Sequence, residues 1–167
     1  ISLPGPTPPF RALALESPDL VYQTLVKLFC VAKAHAVGAR VLLDGAQATP
    51  HWNVDVQDLD CDFYAFSGHK VYGPTGIGAL YGTAEALERL APYQGGGEMI
   101  EIVEQDRVTY NEAPHKFEAG TPPILEAIGL GAAIDWLSTY SLEDIIDHED
   151  HLYQRAFEAL AGINGLR

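Results

Sequence analysis

Residues 44–82 read DGAQATPHWNVDVQDLDCDFYAFSGHKVYGPTGIGALYG, and the apolar runs in and beside this segment predict a buried sheet. The first run, at 40–43, ends in Asp44 and a glycine, the pattern of a buried strand that leads into a turn. Two further runs of similar length lie at 62–66 and 76–81. Because each run is short, apolar and bounded by polar residues or glycine, we predict three strands.

Helices are predicted before and after these strands. The first covers about 18–37 and ends at Gly38, a residue type that commonly terminates helices. A second extends from Thr83, its predicted N-cap, to about Leu90. Helices that alternate with buried strands are typical of a layered α/β sheet, which is the fold class we predict.

The C-terminal part of the chain is predicted to contain short irregular strands and two more helices. The strands fall within 100–118. Thr121 precedes two prolines and is the predicted N-cap of a helix that continues to about Trp136. Ser141, with Asp144 three residues later, predicts a capping box at the start of the last helix.

Composition and charge exclude several classes of protein. A hydrophobic content of 47% with 20% charged residues predicts a folded globular chain. The 10 Lys and Arg against 23 Asp and Glu give a formal charge of −13, which argues against a nucleic-acid surface. No apolar run approaches the roughly 20 residues of a membrane span, and no signal-peptide pattern is present. The two cysteines are too few for a disulfide scaffold and favour a reducing, cytoplasmic location.

Reactive side chains follow two of the predicted strands. Asp44 ends an apolar strand, where a carboxylate costs free energy unless something pairs with it. Lys70 comes directly after Ser67, a glycine and His69, which follow another apolar strand. Ligands of open α/β sheets bind at the carboxyl ends of the strands. A lysine in such a place can act as a Schiff-base nucleophile.

Pyridoxal 5'-phosphate (PLP) requires this set of groups: a lysine for its aldehyde, an acid for its pyridinium nitrogen and donors for its phosphate. Lys70 would supply the amine, and Asp44 would keep the ring nitrogen protonated. The Gln47 amide could donate to the ring's phenolate oxygen, while Ser67 and His69 could hold the phosphate. The residues therefore predict a PLP site.

Six motifs, in order and spacing, resemble the cysteine desulfurase branch of the class V aminotransferases. The motifs are DGAQ at 44–47, DFY at 62–64, SGHK at 67–70, GPTGIG at 73–78, GGGEMI at 95–100 and FEAGTP at 117–122. The last two are similar to the second group of desulfurases, which serves the Suf sulfur-mobilisation system. The resemblance covers about residues 26–140 and implies part of the large domain of PLP-dependent transferase fold type I, a three-layer α/β/α architecture.

The resemblance also implies an activity and partners. The family's reaction takes sulfur from L-cysteine, leaves L-alanine and forms an enzyme persulfide for iron–sulfur cluster assembly. The implied partners are a sulfur-acceptor protein of the Suf system and a second copy of the chain, because family active sites lie at a homodimer interface. Selenocysteine lyase and other class V enzymes are alternatives, and a non-catalytic remnant or interaction fragment is a further one.

Residue roles follow from the same resemblance. Lys70 would be the catalytic, cofactor-binding lysine that also moves the proton at the substrate's Cα. Asp44 would pair with the pyridinium nitrogen, and Gln47 would bond the ring oxygen. The phosphate ligands implied are Ser67 and His69 of the same subunit and Thr121 of the neighbouring one.

The chain departs from the family pattern at its ends. Residues 1–25 form a divergent, proline-rich lead-in, 26–140 correspond to the PLP-binding segment, and 141–167 form a helix leading towards a small domain. The family's ring-stacking histidine, its persulfide-forming cysteine and its carboxylate-binding arginine have no match in this sequence. We therefore expect a partial, catalytically incomplete chain.

Ordinary structural roles compete with the chemical ones. Lys70 could be a surface lysine, and Asp44 a turn residue. Cys61 and Cys30 are both predicted to be small buried hydrophobic residues rather than nucleophiles. His148 and His151 lie on an acidic helix face, where a solvated surface is favoured over a metal site, so no metal is expected.

Overall fold

Three short strands form a sheet in the order β1–β2–β3 within residues 26–165, which the computed structural model describes except for the Leu28 side chain. Strand β1 (Leu42–Asp44) pairs in parallel with β2 (Phe63–Ser67), and β3 (Gly78–Gly82) pairs antiparallel to β2. All three predicted strands are therefore present. The predicted lead-in over 1–25 and the start of the first helix lie outside the described residues.

The register of the sheet brings the carboxyl ends of β1 and β2 to one edge. Asp44 pairs with Ala65, so Ser67 follows two residues further along the neighbouring strand. Gly78, opposite Ser67 on β3, permits this close packing, because a Cβ there would lie 2.6 Å from the Phe66 carbonyl oxygen.

The first helical segment consists of a π-helical turn (Val26–Val31) followed by α1 (Ala32–His35). It ends at Gly38, whose φ of 76° lies in the left-handed region and whose amide donates to the His35 carbonyl. The predicted stop is thus confirmed. Cys30 is exposed, however, so the prediction that it is buried is wrong. A π-helical turn does not follow the 3.6-residue period, and Val31 takes the buried position instead.

A short helix, α2 (Val56–Leu59), connects β1 to β2 and was not predicted. Asp55 caps it by accepting hydrogen bonds from the backbone amides of Gln57 and Asp58 at 2.8 and 3.1 Å. Leu59 forms the core beneath the sheet together with Cys61 and Tyr64. Partly buried residues packed against this core are Val26, Leu43, Val54, Val56, Phe66 and Tyr81.

Helix α3 (Ala84–Arg89) and a hairpin follow the sheet. The Thr83 hydroxyl accepts a hydrogen bond from the Ala86 amide at 3.3 Å, which confirms the predicted N-cap. The hairpin consists of β4 (Ile100–Val103) and β5 (Val108–Tyr110), in the region predicted to form short irregular strands. A 3₁₀ turn (His115–Phe117) comes next.

Helix α4 (Ile124–Leu137) begins later than predicted, with Pro123 rather than Thr121 at its N-cap. The prediction that Thr121 caps this helix is therefore wrong. The reason is the proline pair: a residue that precedes a proline is disfavoured in the helical region, so Pro122 cannot form the first turn. Thr121 lies exposed, three residues before the helix.

Helix α5 (Leu142–Ala161) begins with the predicted cap. The Asp144 amide donates to the Ser141 hydroxyl oxygen at 3.0 Å, and that hydroxyl donates to the Asp144 carboxylate at 2.6 Å. Half-buried positions occur only in the first half of the helix, at Leu142, Ile145, Ile146 and Glu149. No helix among residues 26–165 is both long and apolar enough to cross a membrane.

Candidate functional site

Asp44 and Gln47 line one cleft at the carboxyl end of β1. The cleft has a volume of about 450 Å³, and its walls are Asp44, Gln47, Ala48, His51, Trp52 and Glu149. The Asp44 carboxylate is exposed and accepts a hydrogen bond from the Ala46 amide at 3.0 Å. No basic side chain of the described residues forms a salt bridge with it, so its oxygens retain the capacity to bind a cationic group.

The turn after β1 is supported from below by Tyr64. The Tyr64 ring occupies the space that a Cβ on Gly45 would need. The Thr49 hydroxyl donates to the Gly45 carbonyl at 2.7 Å and lies 3.1 Å from the Tyr64 hydroxyl. Because the Thr49 proton is already donated, the Tyr64 hydroxyl is the donor of the second bond. Only glycine at position 45 allows this arrangement.

Ser67, His69 and Lys70 lie at the end of β2 and in the 3₁₀ turn that follows it (Gly68–Val71). The side chains of His69 and Lys70 are exposed, and Ser67 is half-buried. Ser67 is the N-cap residue of the turn, but its hydroxyl makes no capping hydrogen bond. Within the described residues the Lys70 amine forms no salt bridge, so its amine is available to a ligand.

Close packing fixes the turn that carries Lys70. The Gly73 amide donates to the Gly68 carbonyl at 2.9 Å, and the Gly68 amide donates to the Ile77 carbonyl at 2.8 Å. A Cβ on Gly73 would lie 2.9 Å from Cδ1 of Leu130, so helix α4 packs directly against the end of the turn. Tyr72 closes the turn with a φ of 62°, and its ring contacts Trp136 edge-to-face at 5.4 Å between centroids.

The structure brings the predicted site residues together only in part. Asp44 and Gln47 share the cleft, and the parallel register places the Lys70 turn at the same edge of the sheet. Ser67, His69 and Lys70 do not line the cleft itself. Thr121 does not line it either.

Four cleft residues were missed by the sequence reasoning: Ala48, His51, Trp52 and Glu149. The His51 Nδ1 lies 2.6 Å from Oε1 of Glu149, which is 98 positions away in the sequence. A carboxylate only accepts, so His51 is the donor. His51 could have been noticed as a polar residue in the turn after Asp44, but no local pattern indicates its partnership with Glu149.

A second polar cluster surrounds Asp62 at the opposite end of the strands. The carboxylate is buried and accepts hydrogen bonds from Arg40 at 2.5 Å, His35 at 2.9 Å and the Val41 amide at 2.8 Å. Arg40 also bonds Glu85 at 2.8 Å, which contributes to a lowered pKa of Glu85. Burial by itself would raise the pKa of Asp62, but these hydrogen bonds outweigh it and lower the pKa to about 2.

The two cysteines are free thiols outside the cleft. Cys61 is buried, as predicted, and burial raises the pKa of its thiol, which disfavours the nucleophilic thiolate. In the part of the chain that the structure describes, no three His, Cys, Asp or Glu residues are grouped to hold a metal ion.

Comparison with known proteins places these features in a family. The model of the class-V aminotransferase family matches residues 24–167. The chain belongs to the class-V aminotransferase family. A cysteine desulfurase of Dickeya dadantii is 52% identical over 138 residues, which make up 82% of this chain and 34% of that protein. The chain therefore spans about a third of the length of the curated relatives it matches.

Solved structures agree with this assignment. The crystal structure of the cysteine desulfurase CsdA (S-sulfonic acid) from Escherichia coli is similar at a TM-score of 0.78 and 49% identity, over 81% of this chain and 34% of that one. A C-DES variant with glycine covalently linked to its PLP cofactor is similar at a TM-score of 0.65 and 28% identity. The match covers 75% of this chain and 34% of the C-DES chain. The predicted fold class, part of an α/β domain of fold type I, is confirmed.

Proposed function

We propose that this class V chain is part of a PLP-dependent cysteine desulfurase. The observation that carries the proposal is the placement of Asp44 and Gln47 in one cleft, with the Lys70 turn at the same edge of the sheet. Relatives with about 50% identity that are named cysteine desulfurases support the choice of reaction. The proposed reaction releases sulfur from L-cysteine, leaves L-alanine and forms an enzyme persulfide.

The residues present fit PLP. The cleft volume of about 450 Å³ lies within the roughly 300–1,000 Å³ of small-molecule sites. Asp44 offers a carboxylate with no basic side-chain partner among the described residues, Gln47 offers an amide, and Lys70 offers an exposed amine. These are an acid for a ring nitrogen, a donor for a ring oxygen and a nucleophile for an aldehyde.

When bound, PLP supplies an aldehyde that condenses with amines and a pyridinium ring that accepts electrons. Lys70 would bind that aldehyde and, once displaced by the substrate amine, would take the proton from the substrate's Cα. Asp44 would hold the proton on the ring nitrogen, because its carboxylate favours the charged ring. Gln47 would donate its amide N–H to the ring oxygen.

Phosphate binding and dimerisation belong to the same proposal. The Ser67 hydroxyl is not used for capping, and His69 is exposed beside it, so both can donate to a phosphate. We propose that Thr121 reaches the phosphate bound by the second subunit of a homodimer. Its exposure and its position outside helix α4 leave its hydroxyl available for that contact.

The cysteine thiol that first takes the sulfur from the substrate is proposed to lie outside the 167 residues. The substrate's Cβ–S bond breaks, the carbon keeps the electron pair and takes a proton to give L-alanine, and the sulfur bonds to an enzyme thiolate. Cys61 is too buried for that role, and Cys30 does not line the cleft. We propose that a cysteine beyond the 167 residues takes the sulfur. The persulfide sulfur is then passed to a Suf acceptor protein. We also propose a cytoplasmic location, which suits two free thiols. The division into 1–25, 26–140 and 141–167 remains part of this proposal.

Borohydride trapping tests the assignment of Lys70. In the PLP-loaded protein, reduction should fix the cofactor to the peptide that contains Lys70, and Lys70→Ala should abolish the adduct while circular dichroism stays unchanged. An adduct on another lysine would contradict the assignment. Failure of the folded protein to take up PLP would favour a non-catalytic remnant.

The substrate is tested by product analysis. In the complete protein that contains this segment and the proposed cysteine, L-cysteine with PLP and a thiol reductant should give L-alanine and sulfide in equal amounts, and Lys70→Ala should give neither. A strong preference for L-selenocysteine would indicate a selenocysteine lyase instead. Amino-group transfer to a keto acid, without sulfide, would indicate another class V reaction.

Thr121→Val tests the proposed contact with the second subunit. The variant keeps the branched shape but lacks the hydroxyl donor, so PLP affinity should fall by about 1–2 kcal/mol at concentrations where the dimer forms. Fold stability should not change, because Thr121 does not cap helix α4. PLP should be titrated at protein concentrations above and below the dimer dissociation constant. Equal PLP affinity of variant and wild type over this whole range would contradict the contact.

A further inference from the structure

Glu149 reaches the cleft from a helix that is remote in sequence from the other cleft residues. Helix α5 presents it at the cleft wall, where its carboxylate accepts a 2.6 Å hydrogen bond from Nδ1 of His51. The His51 side chain is 37% exposed and the Glu149 side chain 40% exposed, so the bond lies at the rim of the cleft. A bond of this length between imidazole and carboxylate is a strong, charge-assisted one.

The bond is connected to Gln47 through the backbone. The Ala48 carbonyl accepts the amides of both His51 and Trp52, at 3.1 and 2.9 Å. Ala48 is buried and directly follows Gln47, which is exposed in the cleft. A shift of His51 therefore moves the peptide next to Gln47.

Described side-chain bonds hold the segment from Gly45 to Trp52 near its start and near its end. Near its start, the Thr49 hydroxyl donates to the Gly45 carbonyl and lies in hydrogen-bond contact with Tyr64. At its end, His51 is held by Glu149. Loss of the His51–Glu149 bond releases the His51 side chain from helix α5.

We propose that Glu149 is a positioning residue of the PLP site: acting through His51, it fixes the turn that presents Asp44 and Gln47 to the cofactor. This inference rests on the proposed function. It assigns to helix α5 a role in cofactor binding as well as in packing. In metal sites, loss of a group that only orients a ligating side chain lowers the affinity for the metal, and we expect the same physical effect at a cofactor site.

The test measures the dissociation constant for PLP in the full chain by absorbance titration, for wild type and five variants. Glu149→Ala and His51→Ala should each weaken binding by about three- to tenfold, the effect of one lost hydrogen bond. The double variant should bind no more weakly than the weaker single variant, because both act through one contact. Glu149→Gln retains an acceptor oxygen and should recover affinity to within about twofold of wild type.

Asp150→Ala is the matched control, because Asp150 is the exposed neighbour of Glu149 on the same helix and no side-chain bond is described for it. Its PLP affinity should equal that of wild type.

A merely structural role of Glu149 would appear as a lower melting temperature of cofactor-free Glu149→Ala with unchanged PLP affinity, and that result would overturn the proposal. Additive effects in the double variant would also overturn it. A wild type that binds no PLP would overturn the proposed function and this inference together, whereas unchanged affinity in Glu149→Ala beside a trapped Lys70 adduct would overturn this inference only.

Discussion

Asp44 and Asp62 lie at opposite ends of two neighbouring strands and have opposite surroundings. Asp62, just before β2, has a side chain that is 4% exposed and accepts hydrogen bonds from Arg40, His35 and a backbone amide. Asp44, at the end of β1, is exposed and accepts one described hydrogen bond, from the Ala46 amide. The charge of Asp62 is thus neutralised by partners within the chain, whereas Asp44 has no basic partner among the described residues.

The difference shows which acid belongs to the scaffold and which can serve a ligand. A buried carboxylate is stable only when partners replace its lost water, and the partners of Asp62 occupy both of its oxygens. Because the side chain is also almost fully buried, a cofactor has no access to it. Asp44 can accept further bonds, and it lies at the sheet edge where α/β folds bind ligands.

Asp44→Asn should produce the largest functional effect. The amide keeps the shape of the side chain but no longer stabilises a proton on the pyridine nitrogen, so turnover should fall by at least about 100-fold. The free energy of unfolding should change by less than about 0.5 kcal/mol, because the carboxylate is exposed. Steady-state kinetics of the PLP-loaded complete protein, which includes the proposed cysteine, and urea unfolding of the same sample measure both. Unchanged turnover would remove Asp44 from its proposed role.

Asp62→Ala should have the reverse pattern. Removal of the carboxylate leaves the Val41 amide and the Arg40 guanidinium without their shared partner, which should lower the free energy of unfolding by about 2 kcal/mol. The loss is smaller than for a fully buried ion pair because the Arg40 side chain is 42% exposed. PLP affinity, normalised to the folded fraction, should match wild type. A loss of affinity without a loss of stability would reverse the distinction between the two aspartates.

Acid pH should expose the same distinction with a smaller effect. The pKa of Asp62 is lowered from its ordinary value of 3.8 to about 2, so its stabilisation is fully present above pH 4 and is lost as the pH falls towards 2. Wild type should therefore lose about 1–2 kcal/mol more than Asp62→Asn over this range, by urea unfolding at each pH. Identical pH dependence in the two proteins would show that Asp62 is not the titrating group.

Local features of this chain could be predicted from sequence because local energetics determine them. The three strands follow from apolar runs, and the helix boundaries at Gly38, Thr83 and Ser141 follow from capping chemistry that needs only a few neighbouring residues. The N-cap at Thr121 failed for an equally local reason, the restriction that a proline places on the residue before it. A four-residue helix such as α2 is too short to produce a recognisable period.

The non-local parts of the site could not be predicted in this way. The His51–Glu149 bond joins residues 98 positions apart, and its partner helix has many acidic residues from which sequence does not select one. The neutralisation of Asp62 likewise depends on Arg40 and His35 arriving from another segment. Sequence identified Asp44, Gln47 and Lys70 as candidates through their order after strands, whereas the walls around them depend on tertiary packing.

Tyr64→Phe should give the smallest effect and tests the support beneath Asp44. The Tyr64 hydroxyl donates to Thr49, which in turn bonds the Gly45 carbonyl directly after Asp44. Removing the hydroxyl keeps the ring that fills the space beside Gly45, so the free energy of unfolding should fall by only about 1 kcal/mol. Tyr81→Phe is the control: Tyr81 pairs with Tyr64 across the sheet, is half-buried where Tyr64 is buried, and has no described hydrogen bond on its hydroxyl. Urea unfolding should place Tyr81→Phe within about 0.5 kcal/mol of wild type. If the two variants lose equal stability, the Tyr64 hydroxyl does not hold the turn, and the ring by itself supports Asp44.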